Sequence, residues 1–193
     1  MVSSQKKYEI LDGLPAYGPM YIPISQDGVE FYYEGFVVRF FKDDGTNWVG
    51  NFKTGWTKYS NVFEIPHTNK IVVIANGQGY IIIPEHQKPV ETFGYAITEV
   101  ISVSDNRFIA ADIIDLKVIE SDGTVWNSER VSWDGIINLS IKDNIASGLS
   151  FDPLDVSNEW VPFTFNLDTK ELIGGSYKRY PIEEVKKPFW KFW

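Results

Sequence analysis

Asp112 and Asp115 are the carboxylates of this 193-residue chain whose spacing most suggests chemistry. They lie three positions apart, at the approach to a strand-like run, where two carboxyl groups can divide the roles of general acid and general base in glycoside hydrolysis. No third group accompanies them, and acidic residues on the solvent face of a strand are far commoner than catalytic pairs. The two histidines, His67 and His86, fall in turn sequences without the paired spacing that zinc requires. The stretch from Asp152 to Glu159 is the richest in oxygen ligands, yet it departs from the twelve-residue calcium pattern and reads as a solvated hairpin insertion. Asn76-Gly77-Gln78-Gly79 lacks the third glycine and following helix of a dinucleotide loop and reads as a β-turn. Neither a nucleophile elbow nor a Gly-Lys-Ser/Thr phosphate loop is present, so no catalytic residue is assigned and no metal or cofactor is expected.

Tryptophan offers another kind of chemistry, because an exposed indole stacks on sugars and anchors protein interfaces. Of seven tryptophans, Trp48 and Trp126 occupy equivalent repeat positions, which predicts packing between neighbouring sheets. Trp56, Trp133 and Trp160 stand near strand ends and are the candidate ligand-binding residues. Phe189, Trp190, Phe192 and Trp193 crowd into five positions at the C-terminal end of the sequence. Left exposed they would promote aggregation, so docking onto their own domain is expected, with burial in a partner as the alternative.

The elements that must position these side chains are strands. Aromatics make up 16% of the chain, which favours β structure, and the apolar residues form short runs rather than helical stripes. The runs recur as strand, turn, strand, gap, strand, turn, strand. First turns are read at Ser25-Gln26-Asp27-Gly28, Pro66-His67-Thr68-Asn69, Ser104-Asp105-Asn106 and Lys142-Asp143-Asn144, and the strands after them at 29–33, 71–75, 108–113 and 145–151. Second turns are read at Asp43-Asp44-Gly45, Glu85-His86-Gln87, Ser121-Asp122-Gly123 and Leu167-Asp168-Thr169. Asp-Gly between apolar runs is a strong hairpin signal because glycine accepts positive φ. Units one and three also match outright, Asp44-Gly45-Thr46-Asn47-Trp48 against Asp122-Gly123-Thr124-Val125-Trp126, then Gly55-Trp56 against Ser132-Trp133.

A spacing of roughly 40 residues is that of propeller blades. The chain is therefore expected to be all-β and a single domain, a four-bladed β-propeller-like array of four-stranded antiparallel units at 21–60, 61–96, 97–135 and 136–177, followed by an aromatic tail over 178–193. A two-sheet sandwich or split barrel is the alternative fold.

The motifs Ser132-Trp133-Asp134-Gly135-Ile136, Trp160-Val161-Pro162-Phe163 and Gly174-Gly175-Ser176-Tyr177 resemble those of a family of uncharacterised bacterial proteins. Gly13-Leu14-Pro15-Ala16-Tyr17-Gly18-Pro19 and Asn76-Gly77-Gln78-Gly79-Tyr80 extend the resemblance over most of the chain. It implies a bacterial, globular protein and brings no activity.

Lys and Arg number 18 against 26 Asp and Glu, a net charge of -8 that repels phosphate backbones and anionic membranes. With no cysteine, thiol chemistry and disulfides are excluded. No run approaches the roughly 18 apolar residues of a membrane span, and a cytoplasmic location is expected. These readings favour a non-catalytic binding protein with a protein partner, of inhibitor or immunity type, charge complementarity speeding the encounter. A carbohydrate-binding module and a hydrolase with dispersed carboxylates are the alternatives. No nucleic-acid or membrane partner is expected, and oligomeric state is left open.

Overall fold

The computed structural model describes residues 6–18 and 20–179, which form sixteen strands and one 3-10 turn. The first sheet holds β1 (Tyr8–Leu11), β2 (Ile22–Ile24), β3 (Phe36–Phe41) and β4 (Asn47–Phe52), in the spatial order β1-β3-β4-β2. The second runs β5 (Asn61–Glu64), β6 (Ile71–Ala75), β7 (Gln78–Ile82), β8 (Pro89–Phe93). The third runs β9 (Glu99–Ser102), β10 (Phe108–Ala111), β11 (Leu116–Ile119), β12 (Val125–Asn127). The fourth runs β13 (Ile136–Lys142), β14 (Ile145–Asp152), β15 (Glu159–Asn166), β16 (Leu172–Gly174). This is the all-β, four-unit array expected from the repeat, rather than two large sheets.

Three apolar clusters hold the sheets together, each between consecutive sheets. Phe40, Trp48 and Phe52 of the first pack on Val73 and Tyr80 of the second. Val72, Ile74 and Ile81 meet Phe108, Ala110 and Ile119 of the third. Ile109, Leu116 and Val118 meet Phe163 and Phe165 of the fourth. The second sheet is thus covered on both faces, and its middle strands, Ile71-Val72-Val73-Ile74-Ala75 and Gln78-Gly79-Tyr80-Ile81-Ile82, are buried at every residue. That accounts for runs that are almost continuously apolar where a half-exposed strand would alternate. In β15 the alternation is clear: Phe163 and Phe165 are buried while Pro162 and Thr164 are exposed.

Turn chemistry agrees with the sequence. Asn76 and Gly77 have φ of 45° and 92°, and Asp143 and Asn144 have 48° and 60°, so both two-residue hairpins take two successive positive φ values, as a type I′ turn requires. The matched Asp-Gly-Thr turns are also closed alike: Asp44 Oδ1 accepts the Thr46 N–H and Asp122 Oδ1 the Thr124 N–H, each at 2.8 Å.

One strand was misplaced. Val29–Tyr33 is not a strand, and β1, which precedes the expected unit boundary at 21, supplies the fourth strand of the first sheet. The buried side chain of Asn51 gives the reason. Its Oδ1 accepts the Gly35 N–H at 2.8 Å and its Nδ2 donates to Tyr33 O at 2.9 Å, so local backbone groups are satisfied without a neighbouring strand. β2 then pairs with β4 in parallel, making the first sheet mixed while the other three are antiparallel throughout.

Candidate functional site

Residues 53–60, linking β4 to β5, are clamped by backbone hydrogen bonds on both sides. Gly55 N donates to Ala75 O at 2.9 Å, Trp56 N to Tyr95 O at 3.0 Å, and Thr57 N to Asn76 O at 2.9 Å. The approach is so close that a Cβ on Gly55 would sit 2.2 Å from Tyr95 O, so only glycine fits there. The clamp fixes the backbone of Trp56 while its indole stays 78% exposed, its ring 5.2 Å from that of Tyr95 at 60°.

Tyr95 is also a wall of a cavity of about 310 Å³, together with Asp27, Lys53, Gln78 and Tyr80. Gln78 is only 1% exposed. Its Nε2 donates to Gly79 O and Phe93 O, both at 3.1 Å, which fixes the amide's orientation and leaves Oε1 with no partner among the described residues. That oxygen is itself enclosed by protein, and a buried acceptor without a donor is costly to stability. Lys53 Nζ lies 3.3 Å from Asp27 Oδ2. The Val29 N–H, at 3.2 Å, is the main influence holding the Asp27 carboxyl below the ordinary carboxylate range. Tyr80 donates its hydroxyl to Lys53 O at 2.7 Å, and burial pushes its phenol well above the usual value.

Asp112 has a supporting part. Its Oδ2 accepts the Tyr95 N–H at 3.1 Å and its Oδ1 the Ile113 N–H at 2.7 Å, so the buried carboxylate holds the segment that carries Tyr95. Asp115 pairs with Lys117 at 2.8 Å; burial nevertheless pushes its carboxyl up. Neither carboxylate lines this cavity, and Asp115 Oδ1 is buried without a partner among the described residues.

The three candidate tryptophans fall in different settings. None of them lines the cavity, but Trp56 packs against Tyr95, which does. Trp133 is half-buried and already covered: its ring lies 4.7 Å from Tyr177, and the Arg130 guanidinium lies 5.0 Å and 4.6 Å from the two ring centres. Trp160, 38% exposed, stands opposite Phe151 on the face of the fourth sheet turned away from the third. Trp48 and Trp126 pack between sheets as expected, Trp48 donating its Nε1–H to Pro84 O at 2.7 Å and Trp126 stacking on Phe165 at 5.5 Å and 21°.

His67 and His86 stand in the β5–β6 and β7–β8 turns, and among the described residues no group of three or more His, Asp or Glu side chains is placed to hold a metal. The Asp152–Glu159 stretch forms the β14–β15 hairpin end, where Asp155 caps the Ser157 N–H at 2.8 Å and the buried Asp152 faces Arg179 at 3.4 Å. The tail aromatics Phe189, Trp190, Phe192 and Trp193 lie outside the described residues. No helix among the described residues is long and apolar enough to cross a membrane.

Sequence reasoning missed Gln78, Tyr95, Asp27 and Lys53. A signal did exist for Lys53: it stands three residues before Trp56, as Arg130 stands three before Trp133. Gln78 carried none, since its lone oxygen is a consequence of where the Gly79 and Phe93 carbonyls fall. Neither a protein-family model nor a curated protein matches this chain.

Proposed function

We propose that this chain is a non-catalytic binding protein whose partner is a protein with a basic surface, the relation an inhibitor or immunity protein has to its enzyme. The observation that carries this reading is the exposed Trp56 indole packed on Tyr95, which is also a wall of the cavity lined by Asp27, in a chain of net charge -8. An aromatic anchor backed by acceptors suits the centre of an interface, and the surrounding negative field speeds encounter with a basic surface. Affinity capture from the native host at low and high salt tests it. One basic protein should be retained in stoichiometric amount at low salt and released at high salt; recovery of no specific protein would end this reading.

The exposure of Trp56 favours a second reading, carbohydrate binding, because an indole beside amide and carboxylate groups also suits a sugar ring. Glycan-array binding abolished by Trp56→Ala and untouched by Trp160→Ala would support it, and an array without hits would remove it.

A further inference from the structure

The two halves of the chain carry counterpart aromatic pairs, and one of them already holds a cation. Trp56 and Trp133 each follow an Asp-Gly-Thr-x-Trp hairpin, and each meets a tyrosine from the segment that leaves the next sheet. Trp133 and Tyr177 lie 4.7 Å apart at 58°, and Trp56 and Tyr95 lie 5.2 Å apart at 60°. Over the first pair rests Arg130, its Nε donating to Ser132 O at 2.9 Å and its Nη2 to Trp133 O at 3.0 Å. The guanidinium lies over both rings while its N–H groups reach carbonyls, a set of contacts for which a five-donor cation is suited.

At the other pair the corresponding residue is Lys53, and its ammonium turns to Asp27 instead. Among the described residues, no cation covers Trp56 or Tyr95. What remains there is an uncovered aromatic pair whose Tyr95 is also a wall of a cavity of about 310 Å³ lined by Asp27. We infer that a guanidinium group, the side chain of an arginine on the basic partner, settles over the Trp56–Tyr95 pair on the side of this cavity, as Arg130 does over the counterpart pair. The inference rests on the protein-partner reading above and supplies the chemistry of its central contact. A guanidinium donates at every nitrogen and accepts nowhere, which matches the Asp27 carboxylate in the cavity wall. Lys53 opposes it by charge and competes for Asp27.

The test uses the full chain and Nα-acetyl-arginine methylamide as probe, followed by NMR of the Trp56 indole and Gln78 side-chain amide. The arginine amide should shift both resonances saturably at millimolar concentrations, leaving the indole of Trp133 in place, and should bind more tightly than the matching lysine amide. Trp56→Ala, an exposed substitution that leaves the core intact, should weaken binding about tenfold or more, and Asp27→Asn should also weaken it. Lys53→Gln should strengthen it, which a merely structural role for the cavity would not produce. No saturable shift with the arginine amide, equal binding of arginine and lysine amides, or a stronger response to glucose or N-acetylglucosamine would overturn the inference. If a basic partner is captured and its affinity is unchanged in Trp56→Ala, the arginine receptor fails and the protein-binding reading stands. If the arginine amide binds but no partner is captured, the protein-binding reading fails instead.

Discussion

Trp48 and Trp56 are eight residues apart in one short stretch of chain, yet their surroundings assign them opposite work. Trp48 is 2% exposed, stacks on Phe40 at 4.7 Å and satisfies its indole N–H on Pro84 O. Its truncation removes a large apolar volume and a hydrogen bond between sheets. Trp48→Ala should therefore cost about 3–5 kcal/mol, read as a lower urea midpoint. Trp56→Ala should stay within about 0.5 kcal/mol of the parent, and a comparable loss in both would contradict the exposed setting of Trp56. Asp112 makes a further residue-scale case, because its two oxygens serve two backbone N–H groups. Asp112→Asn keeps one acceptor and turns an N–H group toward the other donor, so a loss of about 1–3 kcal/mol is expected. Tyr95, whose N–H it holds, should show faster amide exchange in that variant.

Hairpin turns set the cost of change at the scale of the element. Gly45 and Gly77 both have positive φ, 82° and 92°, so alanine is strained at either. Around Gly45 there is open space, and Gly45→Ala should cost about 1–2 kcal/mol from the backbone alone. A Cβ on Gly77 would lie 2.7 Å from Thr57 Oγ1 and 3.0 Å from Ile97 N, within the clamp that carries Trp56. Gly77→Ala should add an overpacking cost of about 1–3 kcal/mol to the backbone strain and disturb the Trp56 indole resonance, which Gly45→Ala should leave unmoved. Thermal unfolding of the two variants side by side checks the difference.

At the scale of the whole molecule, ion pairs tie successive sheets together and make stability depend on pH. Arg107, in the β9–β10 turn, reaches Leu167 O at 3.0 Å and Asp168 at 2.7 Å in the β15–β16 turn, and also pairs with Asp105. Its guanidinium is the main cause holding the Asp105 and Asp168 carboxyls below the ordinary range. A carboxyl depressed in the folded state contributes stability that is complete above its unfolded pKa, about 4, and is lost as pH falls through the folded value. Asp115 works in the opposite sense, since burial raises it: it takes up a proton in the folded state first, and its penalty is relieved as pH falls. The Asp-turn carboxyls Asp44 and Asp122 are depressed as well, held chiefly by their threonines, so the depressed groups outnumber the raised one. The melting temperature should decline as pH is lowered below about 4, and Arg107→Gln should flatten that decline while lowering stability at neutral pH. A profile equally steep in Arg107→Gln would remove the Asp105–Arg107–Asp168 cluster from this role.

The all-β class, the four-unit period and the matched halves are legible in local sequence. Aromatic and β-branched runs, turn residues able to take positive φ, and the Asp-Gly-Thr-x-Trp pair are local signals, and they suffice to place the strands expected at 71–75, 108–113 and 145–151 on β6, β10 and β14, while the strand expected at 29–33 and the overlooked β1 are the exceptions. Tertiary structure alone decided what Val29–Tyr33 would do, because the partner that satisfies its neighbouring backbone is the side chain of Asn51, in a strand still to come. It also decided which tryptophan is free. Trp56 and Trp133 look alike in their surroundings of sequence, but Arg130 lies on one aromatic pair and Lys53 leaves the other uncovered. The candidate cavity follows the same rule: Asp27, Lys53, Gln78 and Tyr95 come from segments far apart in the chain, and only the packing of the first two sheets brings them to one wall.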